Sequence, residues 1–425
     1  MNNLINRHEI ADNVYFSSIT DSRFKLNKVS ITFITGLSDE TAALNALVPC
    51  LLSKCNDKFR TMTRLNKKLS GLYAANLDCS IRKDGDLQYI GLFVTVIDNA
   101  FALYGEDIMT EAVTILKDCI FSPYLENGLF PEGAVEIEKQ NQIDDNNAEI
   151  NDKTLYSLKR AYEAAFRNEP AETGALGKNE DIEKITPEAA LRQYEKIIEG
   201  LSVEIVCTGC NDFSGTEKIL KEAFGGVKRK KTLLPVNSIS KVKSEPVRIT
   251  EKLDIEQSKL VILFKSELRN KPALMVMAAI YGGTESAKLF KVVREEMSLC
   301  YYCYSRLGYN KGVMTVESGV DRKNLEKAEA ECLNQLNEIV KGNFTDEDIE
   351  KTKLSLLNSF SSVNDGVSTT LNWYFARIMD NDIITPEEMA ERVNAVTREE
   401  IIEAAVSMKT DTVFILTSED KEEEE

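Results

Sequence analysis

Side chains able to carry covalent or metal chemistry are scarce in this sequence, and their spacing excludes more than it offers. There is one histidine, His8, so no arrangement of the chain can supply a zinc centre built on two imidazoles with a carboxylate base beside them. His8 also stands too isolated near the N-terminus to suggest a Ser-His or Cys-His pair. Two C-x-x-C pairs, Cys207-Thr208-Gly209-Cys210 and Cys300-Tyr301-Tyr302-Cys303, have the local spacing of thiolate zinc ligands, but the interval between them is far longer than in zinc ribbons. Cys207 fits the end of a strand, and Cys300, Tyr302 and Tyr304 alternate with Tyr301, Cys303 and Ser305 as two strand faces do. Neither pair opens a helix in the manner of a thioredoxin-like motif. Gly282-Gly283 lacks the following Gly-Lys-Ser/Thr of a phosphate loop. On residue type alone, Arg294 reads as a helix-surface cation and Tyr301 as a half-buried strand tyrosine. No cofactor is expected.

The elements that would position these residues occur twice. Strand-like runs begin near Lys28 and near Lys259 and are rich in β-branched and apolar residues. Each is followed by an apolar helical segment (Ala43 to Leu52; Ala273 to Tyr281), a second helix with charged positions (Arg64 to Leu69; Ala287 to Met297), and a further strand (Gln88 to Val96; Val313 to Val320). A helix opening at Pro131-Glu132 corresponds to one opening at Thr345-Asp346, where Thr345 is placed as an N-cap with Phe344 and Ile349 as a hydrophobic staple. Thr186-Pro187 fits a cap with proline at N1, and Thr397 to Glu400 fits a capping box. Each copy closes on a strand, Val203 to Cys207 and Thr412 to Leu416. The fold class is therefore α+β with two homologous domains, each a mostly antiparallel sheet packed by helices. The expected boundaries are an N-terminal domain 1–224, a linker 225–251, a C-terminal domain 252–417 and an acidic tail 418–425.

With 425 residues, 43% apolar and 28% charged, the composition is that of a folded globular chain with sizeable cores. No stretch approaches the roughly eighteen apolar residues of a membrane span, and none near the start resembles a signal peptide. Nine cysteines, mostly inside apolar segments, suit a reducing compartment, and the cytoplasm is the expected location. A formal charge of −17 disfavours nucleic acid as a partner. The basic run Lys228-Arg229-Lys230-Lys231 has no interleaved aromatics and reads as a solvated linker. The tail reads as disordered.

The segment from Tyr281-Gly282-Gly283 through Leu289-Phe290 and Arg294 to Tyr301, with Pro170 to Gly177 and Ile182 to Pro187, resembles the insulinase or pitrilysin-like metallopeptidases, the inverted zincins. The resemblance covers nearly the whole chain. It implies zinc held by the two histidines of H-x-x-E-H and a distant glutamate, with the motif's own glutamate as base. Setting Leu51-Leu52 against the residues that usually follow that motif puts Ala46, Pro49 and Cys50 where His, Glu and His should stand. Counting seven residues from Glu138 puts Asp145 at the distant ligand. One oxygen ligand and one thiol remain, and the base is missing. Pro49 should also make the helix begin just before it or kink there.

The resemblance further implies that Arg294 and Tyr301 bind the substrate's backbone and the oxyanion formed on its carbonyl. It implies a chain that forms half of a clamshell and acts as the non-catalytic subunit of a heterodimeric zinc peptidase. Its partner would be an H-x-x-E-H-containing paralogue, and a peptide or small protein the substrate. The alternative is a homodimeric peptide-binding or scaffolding protein. A different chemistry centred on Cys50 is a third reading, and an inert, buried thiol there would end it.

Overall fold

The computed structural model describes residues 5–230 and 232–419. Eleven strands form two sheets among these residues. The first sheet comprises β1 (Asn6–Ala11), β2 (Val14–Thr20), β3 (Leu26–Gly36), β4 (Asn76–Asp84), β5 (Leu87–Ile97) and β6 (Ser202–Gly209) in the order β1-β2-β6-β3-β5-β4. The second comprises β7 (Val247–Lys252), β8 (Ser258–Lys265), β9 (Cys300–Gly308), β10 (Val313–Val320) and β11 (Lys409–Thr417) in the order β7-β11-β8-β10-β9. Each sheet is antiparallel except at one place, β2 beside β6 and β7 beside β11. The duplication is thus carried down to strand direction, with β7 answering β2. β7 falls largely inside the expected linker. Its alternating half-buried and exposed residues give a single apolar face too weak to stand out from a polar segment.

The compact units interleave along the chain. One takes Met1–Asn146, Thr173–Val236 and Val363–Ile384, and the other Asn147–Glu172, Asn237–Ser362 and Thr385–Glu425. Each sheet therefore receives a helix from the opposite half of the sequence. In the first unit, Leu371, Tyr374, Phe375 and Ile378 of helix Val367–Met379 pack on Ile19, Ile34, Leu87, Tyr89 and Val206. In the second, Ala161 of helix Lys153–Ala165 packs on Val261, Phe414 and Leu416, with Tyr156 and Leu158 beside it. Burial of each large apolar side chain contributes about 1.5–3 kcal/mol, so these helices are held by the sheets they cover.

Charge fastens the segment after helix Lys153–Ala165 to the second sheet. Lys265, 1% exposed, donates to the Ala165 carbonyl at 2.8 Å and lies 3.3 Å from Asp411, which is wholly buried. Lys311 pairs with Glu169 at 2.8 Å. Burial pulls the Lys265 ammonium below its ordinary pKa, with Asp411 opposing that shift. In the first unit, Arg229 departs from the solvated reading of its basic run. It donates to the carbonyls of Asp12, Ile198 and Leu201, and burial lowers its guanidinium to about 10. Three carbonyl acceptors explain how a cation leaves water here. Lys231 and residues 420–425 of the acidic tail lie outside the described residues.

Candidate functional site

In the first unit, Ala46, Pro49 and Cys50 sit on the helix Ala42–Lys54, which runs unbroken through Pro49. The expected start at Pro49 is not seen. Ten of the thirteen residues are buried, and that contact outweighs one missing amide donor. A polar lattice secures the helix start. Gln193 donates to Asn45 at 2.6 Å, Asn45 donates to Gln88 at 2.9 Å, and Gln88 donates to the Ala42 carbonyl at 3.0 Å. Gly177, at φ +74°, lies so close that a Cβ there would stand 2.6 Å from the Ala43 nitrogen, a position open only to glycine.

The metal-ligand positions do not form a metal site. Ala46 is 1% exposed and offers no donor atom. The Cys50 sulfur lies 3.2 Å from the Cys79 sulfur on β4. That contact, reinforced by burial, pushes the Cys50 thiol far above its ordinary pKa and lowers that of Cys79. The direction of that shift disfavours a thiolate at Cys50, which is half-buried beside Cys79. Asp145 is exposed on helix Glu132–Ala148. The same helix turns Gln142 inward to the Ala43 and Leu176 carbonyls, at 3.2 and 2.6 Å. His8 is engaged by Glu217 at 2.9 Å. Among the described residues, no group of three or more His, Cys, Asp or Glu is placed to hold a metal.

In the second unit the corresponding helix, Lys271–Ala278, passes into a π-helical turn at Ala279–Gly283, and a second π-helical segment spans Leu289–Glu296. Such wide turns are uncommon and are frequent at functional sites. They frame a pocket of about 740 Å³ whose lining includes Gly282, Ser286, Arg294, Tyr302, Tyr304 and Lys351. Gly282 owes its place to packing, since a Cβ there would lie 2.7 Å from the Ser305 nitrogen on β9 and 2.6 Å from Leu289.

Arg294 is partly exposed, its guanidinium carbon 4.6 Å from the Phe290 ring centre and its Nε 3.6 Å from Glu295. Tyr301 is not part of the pocket lining. It is 60% exposed and donates to Asp321 at 3.1 Å, a bond that raises its phenol above the usual pKa. No hydrogen bond joins Arg294 to Tyr301 among the described residues. In place of Tyr301 the pocket presents Tyr302 and Tyr304, stacked with ring centres 5.7 Å apart. Their i, i+2 spacing on a strand was the available sequence signal. Among the described residues β9 is the last strand of its sheet, pairing only with β10, so its outer edge can accept an extended chain.

Sheet order and duplication give a fold shared with solved M16-like proteins, such as the peptidase M16 inactive domain from Pseudomonas fluorescens, with a TM-score of 0.80 at 13% identity over 98% of each chain. Residues 184–356 match the family model described as peptidase M16 inactive domain. The chain is similar to proteins of that kind along the rest of its length as well. It is 24% identical over 402 residues, 94% of each chain, to the probable inactive metalloprotease YmfF of Bacillus subtilis. It is also 24% identical to the uncharacterized zinc protease YmxG of Bacillus subtilis over 68% of this chain and 70% of that one. A conserved protein from Enterococcus faecalis has the same fold, with a TM-score of 0.90 at 24% identity over 98% of this chain and 99% of that one. Among the described residues, no helix is long and apolar enough to cross a membrane.

Proposed function

We propose that this chain is the non-catalytic subunit of a zinc peptidase, holding an extended peptide for a related partner that carries H-x-x-E-H. The observation that carries this reading is the Arg294 pocket against the unpaired edge of β9. A peptide laid along β9 gains main-chain hydrogen bonds, and the Arg294 guanidinium offers forked donors to its carbonyl or carboxylate groups. Tyr301 then serves from outside the pocket, at the start of the same strand. The similarity to one Bacillus subtilis protein named inactive and to another named a zinc protease supports a division of labour between related chains. Nine unpaired thiols support a reducing, cytoplasmic setting.

The test is gentle purification of the tagged chain from its own cells, followed by mass spectrometry. A stoichiometric partner of similar length bearing H-x-x-E-H is the expected result. Recovery of this chain alone, as a self-dimer without peptidase activity, would favour a homodimeric peptide-binding protein instead.

A further inference from the structure

The first unit contains a second cavity that neither the degenerate metal positions nor the Arg294 pocket accounts for. It holds about 310 Å³ and is walled by Leu51, Met62, Phe130, Pro131, Ala134 and Ile137. Glu138, only 7% exposed, is set into this apolar wall. Among the described residues its carboxyl group has no hydrogen-bond or ion-pair partner. Lys54, on the opposite side in charge, also lines the cavity without an ion pair. The other charged groups of the lining are already engaged, Arg60 by Asp57 at 2.7 Å and Glu126 by the Tyr124 hydroxyl at 2.9 Å. A largely buried carboxylate without a protein partner, in a concave and mostly apolar site, marks a place where a ligand can supply the opposite charge.

We propose that this cavity binds a small apolar zwitterion, an amino acid or dipeptide with apolar side chains. Its ammonium group pairs with Glu138, its carboxylate with Lys54, and its side chain displaces water from the Leu51, Phe130 and Ile137 walls. The two opposite charges, neither in an ion pair among the described residues, together with the apolar walls select this class over a simple amine or a fatty anion. The site lies in a different unit from Arg294 and does not depend on a partner peptidase.

The experiment is calorimetric titration of the purified full-length chain with leucine, Leu-Leu, N-acetyl-leucine and leucine amide. Leucine or Leu-Leu is expected to bind, and whichever binds tighter identifies the source of the ligand. N-acetyl-leucine, lacking the ammonium, should bind at least roughly tenfold more weakly, and E138Q should weaken the parent ligand by a similar factor. K54M, at the cavity's more exposed side, should weaken it several-fold and bring leucine and leucine amide to the same affinity. Thermal melts of both variants establish that the fold is intact. Equal binding of leucine and N-acetyl-leucine, or no binding of leucine or Leu-Leu at millimolar concentration, would overturn the proposal.

Discussion

Helix Ala42–Lys54 and its counterpart Lys271–Ala278 occupy the same place in two sheets of the same design, yet they do opposite things with their far ends. The first continues as one mostly buried helix, with Ala46 sealed and the Cys50 thiol against Cys79. The second widens at Ala279–Gly283, and the room so made becomes the Arg294 pocket. Packing fills one site, while a glycine pressed against β9 leaves room for the other. Two halves of one design need not share one fate.

Gly282→Val should have the largest effect on this contrast. A side chain there must displace the β9 backbone and Leu289, costing about 3 kcal/mol, whereas Gly283→Ala, whose nearest contact would be 3.4 Å, should cost under about 1 kcal/mol. Urea denaturation of both variants reads the difference, and equal losses would mean that the close approach is not what shapes the pocket. Ala46→His probes the sealed site. It should destabilise by about 1–3 kcal/mol through overpacking and bind no stoichiometric zinc, by atomic absorption after dialysis. A stable, zinc-loaded variant would show that the site is open after all.

The helix starts offer a smaller contrast. Asn270 accepts from the Ala273 amide at 3.2 Å, while Thr41 makes no side-chain cap bond. Asn270→Ala should therefore cost about 1 kcal/mol and Thr41→Ala less than half of that, by the same urea measurement. The smallest effect is set by pH. Bonds from Lys178 and Thr173 hold the Asp39 carboxyl below its ordinary pKa, so below the unfolded value of 3.8 the unfolded chain binds protons more readily. Stability contributed by Asp39 is present above that pH and is lost as pH falls through the folded value. Asp39→Asn should flatten the wild-type decline between pH 5 and 3, roughly the window around that value.

The duplication was legible in the sequence because strand runs and helix caps announce themselves locally. Thr397 forms the capping box its spacing indicates, and Thr345 the expected N-cap, which the structure closes into a box as well. In the Thr345 box the N3 partner is Asp348. The exchanged helices Lys153–Ala165 and Val367–Met379 were not legible, since an apolar face does not say which sheet it will meet. Arg229 was hidden for a related reason, because its acceptors are carbonyls distant in sequence. At the candidate sites, Arg294 stood out through its resemblance to a known pattern. The pocket's tyrosines and the unpartnered Glu138 became visible only when strand faces and helix packing were fixed in space.

The most direct measurement is peptide hydrolysis by this chain, by any H-x-x-E-H-bearing chain that co-purifies with it, and by the two mixed in equal amounts, repeated with Arg294→Ala. Activity in the mixture alone, reduced at least roughly tenfold by the substitution as expected for loss of a charged hydrogen bond, is the predicted result. A partner equally active by itself, or a mixture indifferent to Arg294, would contradict the assignment of this chain as a peptide-holding subunit.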